Sequence, residues 1–220
     1  MKISIVGGTA GLGRALGMAL ARAGAEVVIG SRVAEKAVAA ADEIAGIVGG
    51  DAVVQGGANP EVVSDAEVAI VAVPYPGQAE IYKTILPRLP EGITVIDCTV
   101  PLASEVGGKP TRVIGVWEGS AAQQARDLIG RKFAMASGFH TVMAGVLESG
   151  DEVGDVLVCG DKAAREVAKK VVGMLPGARF VDCGPLEQAR ILESITALLI
   201  GINLRYKLDP GAGIEITRLP

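Results

Sequence analysis

The stretch Lys2 to Arg32, KISIVGGTAGLGRALGMALARAGAEVVIGSR, decides how the chain folds. Lys2 to Val6 is a short apolar run rich in β-branched residues, and Gly7, Gly8, Gly11 and Gly13 break it before a helical pattern begins. Leu12, Ala15, Leu16, Ala19, Leu20 and Ala23 then recur at the three-and-four spacing of a helix that lays one face on a sheet. Gly24 ends that helix, and Glu26 to Ile29 is a second β-branched run. The spacing predicts strand, turn, helix and strand at the length of one βαβ unit.

A chemical reason for the glycines is a pyrophosphate. The first turn of a helix offers unpaired amides and the positive end of the helix dipole, and side chains in the turn would hold an anion away. In the dinucleotide fingerprint Gly8 allows the turn, Gly13 lets helix and strand pack closely, and Ala10 stands where a second glycine is usual. Gly8 through Gly13, with Ala10, Gly11 and Leu12, is therefore the candidate phosphate cradle. Gly7-x-x-x-Gly11-x-Gly13 also fits a short-chain dehydrogenase turn, but none of the three tyrosines has a lysine four residues on. The second strand ends in Gly30, Ser31 and Arg32, with Lys36 one helical turn later, where an NAD site usually carries an acidic residue. A hydroxyl and two cations suit a ribose 2′-phosphate, so the expected cofactor is NADP.

With 220 residues, 50% hydrophobic and 21% charged, the chain can bury a sizeable core as one large domain or one with a small appendage. Net charge is −4 without a lysine or arginine block, which predicts no nucleic-acid or anionic-membrane surface and a small-molecule partner. Cys98, Cys159 and Cys183 lie in or just after apolar strand-like runs, as reduced and buried thiols do, and this fits a cytoplasmic protein. No signal peptide and no bilayer-spanning segment are expected.

Further along, Ala34 to Ile44 reads as a helix, Asp51 to Gln55 as a third strand, and Asn59-Pro60-Glu61 as a helix start. Val68 to Val73 reads as a buried parallel strand ending in a Pro74-Tyr75-Pro76-Gly77 loop before a helix from Gln78 to Leu86. Ligands of open α/β sheets sit beyond the carboxyl ends of strands, so Val73 and Pro74 should border the cofactor. Thr94 to Cys98 is a fifth strand, and Thr99 to Gly119 a long loop in which Trp117 lines a pocket or plugs a gap. A helix from Ala121 to Ile129, strands at Lys132 to Ala136, Val156 to Cys159 and Phe180 to Cys183, and a helix from Lys162 to Leu175 complete the sheet. The final helix, Leu186 to about Leu204, carries Ile191, Leu192, Ile195, Leu198, Leu199 and Ile202, more apolar surface than one sheet face needs, which predicts a partner subunit.

One histidine and no clustered cysteines or acids argue against a metal site. No P-loop, Ser-x-x-Lys or nucleophile elbow is present. What remains is a nicotinamide site whose one candidate acid is His140, just past a strand terminus. Hydride transfer between two rings held in contact needs positioning more than acid–base chemistry, and water can supply the proton.

GGTAGLG followed by IGSR and Lys36, then VPY, SGFHTV, CGD and DCGPLEQARILESITALLI together resemble the NADPH:coenzyme F-420 oxidoreductases. The resemblance implies a Rossmann-type doubly wound, mostly parallel sheet over residues 1–183, and a small helical part over 184–220 for the acceptor pocket and dimerisation. It implies that Thr9, Ser31, Arg32 and Lys36 bind NADP, and that His140, Val142, Arg190, Ser194 and Thr196 line the pocket of the deazaflavin co-substrate, coenzyme F-420. It also implies a homodimer and reversible hydride transfer, with no residue certain to be catalytic and His140 positioning the acceptor. Ala10-Gly11 and Tyr75-Pro76-Gly77-Gln78 depart from the family's pattern. Another flavin-like or pterin-like acceptor, or a non-catalytic NADP-binding redox sensor, are the alternative readings.

Overall fold

The structure is a computed structural model that describes residues 1–219. Eight strands run in chain order as β1 (Lys2–Val6), β2 (Glu26–Ser31), β3 (Val54–Ala58), β4 (Val68–Val71), β5 (Thr94–Asp97), β6 (Ala134–Gly138), β7 (Gly154–Gly160) and β8 (Ala178–Asp182). They form one sheet in the spatial order β3-β2-β1-β4-β5-β6-β7-β8. β1 to β6 are mutually parallel, β7 is antiparallel to β6, and β8 is parallel to β7. The helices are α1 (Gly11–Arg22), α2 (Ala34–Val48), α3 (Asn59–Val62), α4 (Tyr75–Ile85), α5 (Ala121–Ile129), α6 (Ala144–Ser149), α7 (Lys162–Val172) and α8 (Ala189–Tyr206).

Helices cover both faces because the central strands are apolar on both, every residue of β4 and β5 being buried. Ile3 and Ile5 of β1 pack with Leu16 and Leu20 of α1 and Ile44 of α2. Val6 and Val71 pack on the other face with Tyr82 and Ile85 of α4 and Ala125 of α5. Leu157, Cys159 and Val181 hold Leu192 of α8 in a third cluster. This is the expected doubly wound arrangement. The strand order reverses between β1 and β4, and such a switch point opens a crevice at the carboxyl ends of the strands.

Several local expectations are corrected. The third strand starts at Val54 rather than Asp51: Val53 contributes its carbonyl, which accepts Val27 N at 2.9 Å, and Gly56 and Gly57 pair within the ladder. Gly56 admits the backbone of Ala37, which would collide with any Cβ there. Pro74 to Gly77 is no connector: α4 begins at Tyr75, with Pro76 in its first turn where a missing amide costs nothing. The sixth strand is shifted to Ala134–Gly138, the helix after Lys162 stops at Val172, and the last helix begins at Ala189 after a 3-10 turn at Leu186–Gln188. Trp117 neither lines a pocket nor plugs a gap, being 98% exposed at a turn closed by Gly119 N donating to Val116 O at 3.0 Å. Cys98 and Cys159 are buried free thiols, whereas Cys183 is only partly buried.

The chain end returns to the sheet edge. Arg179 of β8 donates to both carboxylate oxygens of Asp155 at 2.7 and 2.8 Å and to the Ile216 carbonyl at 2.7 Å. The Ile216 amide donates to Asp155 Oδ2 at 2.6 Å. Arg179 holds the Asp155 carboxyl below its usual range. Among the described residues no helix is long and apolar enough to cross a membrane.

Candidate active site

The glycine turn sits where the strand ends converge. Gly7 and Gly8 amides donate to the Gly30 carbonyl at 3.1 and 3.0 Å, and Gly7 N also meets Asn59 Oδ1 at 3.3 Å. Gly7 has a φ of +79°, and a Cβ there would fall 2.6 Å from Val73 Cγ1 and 2.7 Å from the Ala72 carbonyl oxygen. The turn is therefore pressed against Ala72 and Val73, just past the end of β4. Gly13 performs its expected packing role, since its missing Cβ would lie 2.8 Å from the Gly7 carbonyl oxygen. Ala10 is the N-cap of α1 and exposed, so its methyl points at no packed neighbour in the turn.

Two helix N-termini near the strand ends differ in a way that matters. α1 has no side-chain cap and no acidic residue in its first turn, so the amides of Gly11, Leu12 and Gly13 have no side-chain acceptor among the described residues. α5 is closed. Ala121 N and Ala122 N donate to Glu193 Oε2 and Oε1, both at 3.0 Å, Gln123 N donates to Ser120 Oγ at 3.0 Å, and Gln124 N to the Ser120 carbonyl at 3.0 Å. Of these two helices, α1 is the one that offers free donors to an anion.

At the end of β2, Ser31 Oγ accepts from Val33 N at 3.2 Å and opens the turn into α2. Arg32 and Lys36 are exposed and have no acidic partner among the described residues. They stand one strand away from the glycine turn, because β2 is the immediate neighbour of β1. Hydroxyl, cations and open helix end fit the adenosine phosphate half of NADP.

The acceptor candidates lie on the other side, past β6 and on α8. Phe139 is fully buried with a φ of 67°, a left-handed backbone that bulky residues rarely adopt, and its carbonyl accepts Val142 N at 3.1 Å. The turn so formed carries His140, which is 6% exposed with no hydrogen-bond partner at Nδ1 or Nε2. Burial drives its imidazole down to about 4; the Thr99 backbone pulls weakly the other way without reaching hydrogen-bond geometry. His140 is thus neutral at ordinary pH, with one ring donor and one acceptor unused. Val142 is buried in the same turn.

Thr196 of α8 donates its hydroxyl to the His140 carbonyl at 2.8 Å, so its side chain supports the turn. Ser194 Oγ donates to the Arg190 carbonyl of its own helix at 2.7 Å. Arg190 and Ser194 line a cleft of about 430 Å³ together with Ile191, Glu193, Ser120, Pro101, Gly119 and the segment Val113 to Val116. His140, Val142 and Thr196 are not among the residues lining that cleft. A second cavity, bordered by Met1, Glu67 and Thr94, lies at the amino ends of the strands and away from this chemistry.

Sequence reasoning missed a buried polar network at the end of β5. Gln78 Nε2 and Tyr82 OH, one helical turn apart on α4, donate to Asp97 Oδ2 at 3.0 and 2.7 Å, and Thr99 N donates to Asp97 Oδ1 at 3.0 Å. Gln78 Nε2 also donates to the Ala121 carbonyl at 3.1 Å. Burial pushes the Asp97 carboxyl up to about 6 against these hydrogen bonds. Glu193 is 2% exposed, and burial pushes it up to about 8 while the two α5 amides oppose. An acid closing the otherwise apolar strand TVID, and another inside ILESITALLI, were the available signals.

Residues 2–101 match a family described as NADP oxidoreductase coenzyme F420-dependent. Over 225 aligned residues the chain is 41% identical to the F420-dependent NADP reductase of Methanothermobacter thermautotrophicus, covering 100% of this chain and 96% of that protein. It is 38% identical to the F420-dependent NADP reductase of Methanocaldococcus jannaschii, covering 100% and 99%. A crystal structure from Arthrobacter sp. FB24, provisionally described as an F420-dependent NADP reductase, superposes with a TM-score of 0.78 at 21% identity, covering 99% of this chain and 98% of that one, a likeness of fold.

Proposed function

The chain belongs to the F420-dependent NADP reductase family, and from that premise we propose how its own residues serve hydride transfer between NADPH and the deazaflavin coenzyme F-420. The contrast between the two helix ends carries the reading: α1 keeps its first-turn amides free for a pyrophosphate, while α5 has all of its own satisfied by the chain. The nucleotide then lies across Gly8, Thr9, Ala10, Gly11, Leu12 and Gly13. Ser31, Arg32 and Lys36 take its 2′-phosphate, and Val73 and Pro74 border it at the end of β4. NADPH supplies the hydride, the deazaflavin ring receives it, and the one proton that balances the reaction comes from water.

The acceptor side is His140, Val142, Arg190, Ser194 and Thr196. Unpartnered ring nitrogens in a buried imidazole are costly unless a ligand satisfies them, which supports His140 as a hydrogen-bonding partner of the second ring. Its low pKa removes it as a proton donor near neutrality, so its work is orientation. Thr196 fixes the turn that bears it, and Arg190 and Ser194 meet the acceptor from α8. We assign residues 1–183 to nucleotide binding and residues 184–219, whose helix is α8, to closing the acceptor pocket.

That helical part also joins two subunits of a cytoplasmic homodimer. Ile191, Ile195, Leu198 and Ile202 recur on one side of α8, and Leu198 is 61% exposed. Sedimentation should report a dimer at micromolar concentration, and Leu198→Glu should yield a monomer; a monomeric wild type would exclude this assembly.

The activity itself is tested by mixing the protein with NADPH and oxidised coenzyme F-420 and following loss of the deazaflavin's visible absorbance, with FMN and a pterin as control acceptors. Turnover of F-420 is expected. Turnover of FMN or a pterin alone would reassign the acceptor, and NADPH binding without turnover of any of them would indicate a redox sensor.

A further inference from the structure

We propose that Glu193 is the positioning residue of the acceptor cleft: by closing the N-terminus of α5 from α8, it sets where Arg190 and Ser194 meet the deazaflavin. The inference rests on the acceptor reading of that cleft.

A carboxyl inside an apolar helix is retained only where its oxygens find donors, and Glu193 is buried with Leu192, Ala197 and Leu199 on the same helix. Its two oxygens accept one backbone amide each, from Ala121 and Ala122, at the positive end of the α5 dipole. With Ser120 holding Gln123 and Gln124, every first-turn amide of α5 is satisfied. Closure of α5 thus consumes a side chain contributed by another helix, where a local cap residue alone usually serves.

The cap is one link in a longer chain of hydrogen bonds. Asp97 at the end of β5 accepts from Gln78, Gln78 donates to the Ala121 carbonyl, and Ala121 N donates to Glu193. The height of α8 along α5 is thereby fixed to the sheet. Arg190 lies one helical turn before Glu193 and Ser194 directly after it. Ser120, Glu193, Arg190 and Ser194 all line the cleft. Breaking the cap frees α8 to slide, which moves Arg190 and Ser194 together and weakens their hold on the acceptor before hydride transfer is reached.

The test compares wild type, Glu193→Gln and Glu193→Asp for binding of oxidised deazaflavin, titrated by its own fluorescence without NADPH, and of NADPH by calorimetry. The titrations are run at pH 9, above the raised carboxyl value of about 8, where Glu193 offers two acceptors. Glu193→Gln keeps the side-chain size but sets an NH2 group against one backbone donor. It should raise the deazaflavin Kd roughly tenfold or more and leave the NADPH Kd within about twofold, and kcat at saturating acceptor within about threefold. Glu193→Asp keeps both acceptors on a shorter stem and should fall between. Unchanged deazaflavin affinity in a folded variant, or equal losses for both ligands, would overturn the proposal. Hydrogen exchange on the wild type needs no variant: bound deazaflavin should slow the Ala121 and Ala122 amides and NADPH alone should not, and no slowing overturns it. Wild type that binds no deazaflavin defeats the acceptor reading itself, whereas wild-type binding with indifferent variants defeats the Glu193 assignment alone.

Discussion

Thr196 Oγ1 donates to the backbone carbonyl of His140 at 2.8 Å, joining α8 to the turn after β6 across 56 residues of sequence. The bond ties the helical end of the chain to the turn that bears the one imidazole in the protein, so that turn is held by α8 as well as by β6. Thr196→Val keeps the shape and removes the donor, leaving that carbonyl without its partner. The expected cost is about 1–3 kcal/mol, seen as a lower thermal midpoint by roughly 2–10 °C. Acceptor KM should rise with little change in the KM for NADPH, and an unchanged acceptor KM would mean the bond serves stability alone.

His140→Asn separates orientation from acid catalysis. If the imidazole only hydrogen-bonds the acceptor ring, the variant raises acceptor KM and changes kcat modestly, the sign of lost uniform binding. Because burial lowers the imidazole to about 4, the wild-type rate should show no limb near the free imidazole value of about 6.5. A kcat loss of roughly a hundredfold, with a limb near 6.5 that vanishes in the variant, would restore His140 as the acid.

The first βαβ unit was legible because its signals are local: glycines at a strand end, a helix at fixed spacing, and a second β-branched run all fall within one short stretch. The surroundings of His140, Glu193 and Asp97 are set by strand order and by the return of α8 to the sheet, which no short-range pattern encodes. α4 shows the same limit at smaller scale. Pro74-Tyr75-Pro76-Gly77 carries every sign of a loop, yet Pro76 is tolerated in a first helical turn, and the Tyr75 amide finds Glu105 Oε2 at 2.6 Å from a distant loop. The exposure of Trp117 was likewise unreadable, since hydrophobicity predicts burial only on average.

Arg32 should decide between the two nicotinamide cofactors. It is exposed and free of any acidic partner among the described residues, so a 2′-phosphate would meet an uncommitted guanidinium. Arg32→Ala should weaken NADPH roughly ten- to hundredfold, about 1.5–3 kcal/mol, while NADH affinity stays nearly constant. Calorimetric titration of both cofactors checks this, and equal affinities in the wild type would remove the role.

Glu193 should also give stability a measurable slope with pH. Its carboxyl is raised to about 8 when folded, against about 4.3 in the unfolded chain, so the folded state binds the extra proton between those values and stability falls as pH rises through them. Asp97, raised to about 6, acts in the same direction below 6. His140, lowered to about 4, acts oppositely between 4 and 6.5, because there the unfolded state holds the proton. Above 6.5 both contributions have ended and Glu193 remains the buried group still titrating toward about 8. Stability by denaturant unfolding should therefore decline by about 1–2 kcal/mol from pH 6.5 to 8, and Glu193→Gln should flatten that slope. A flat wild-type profile over this window would mean that the two α5 amides hold Glu193 ionised throughout, and that the cap is a carboxylate at every working pH.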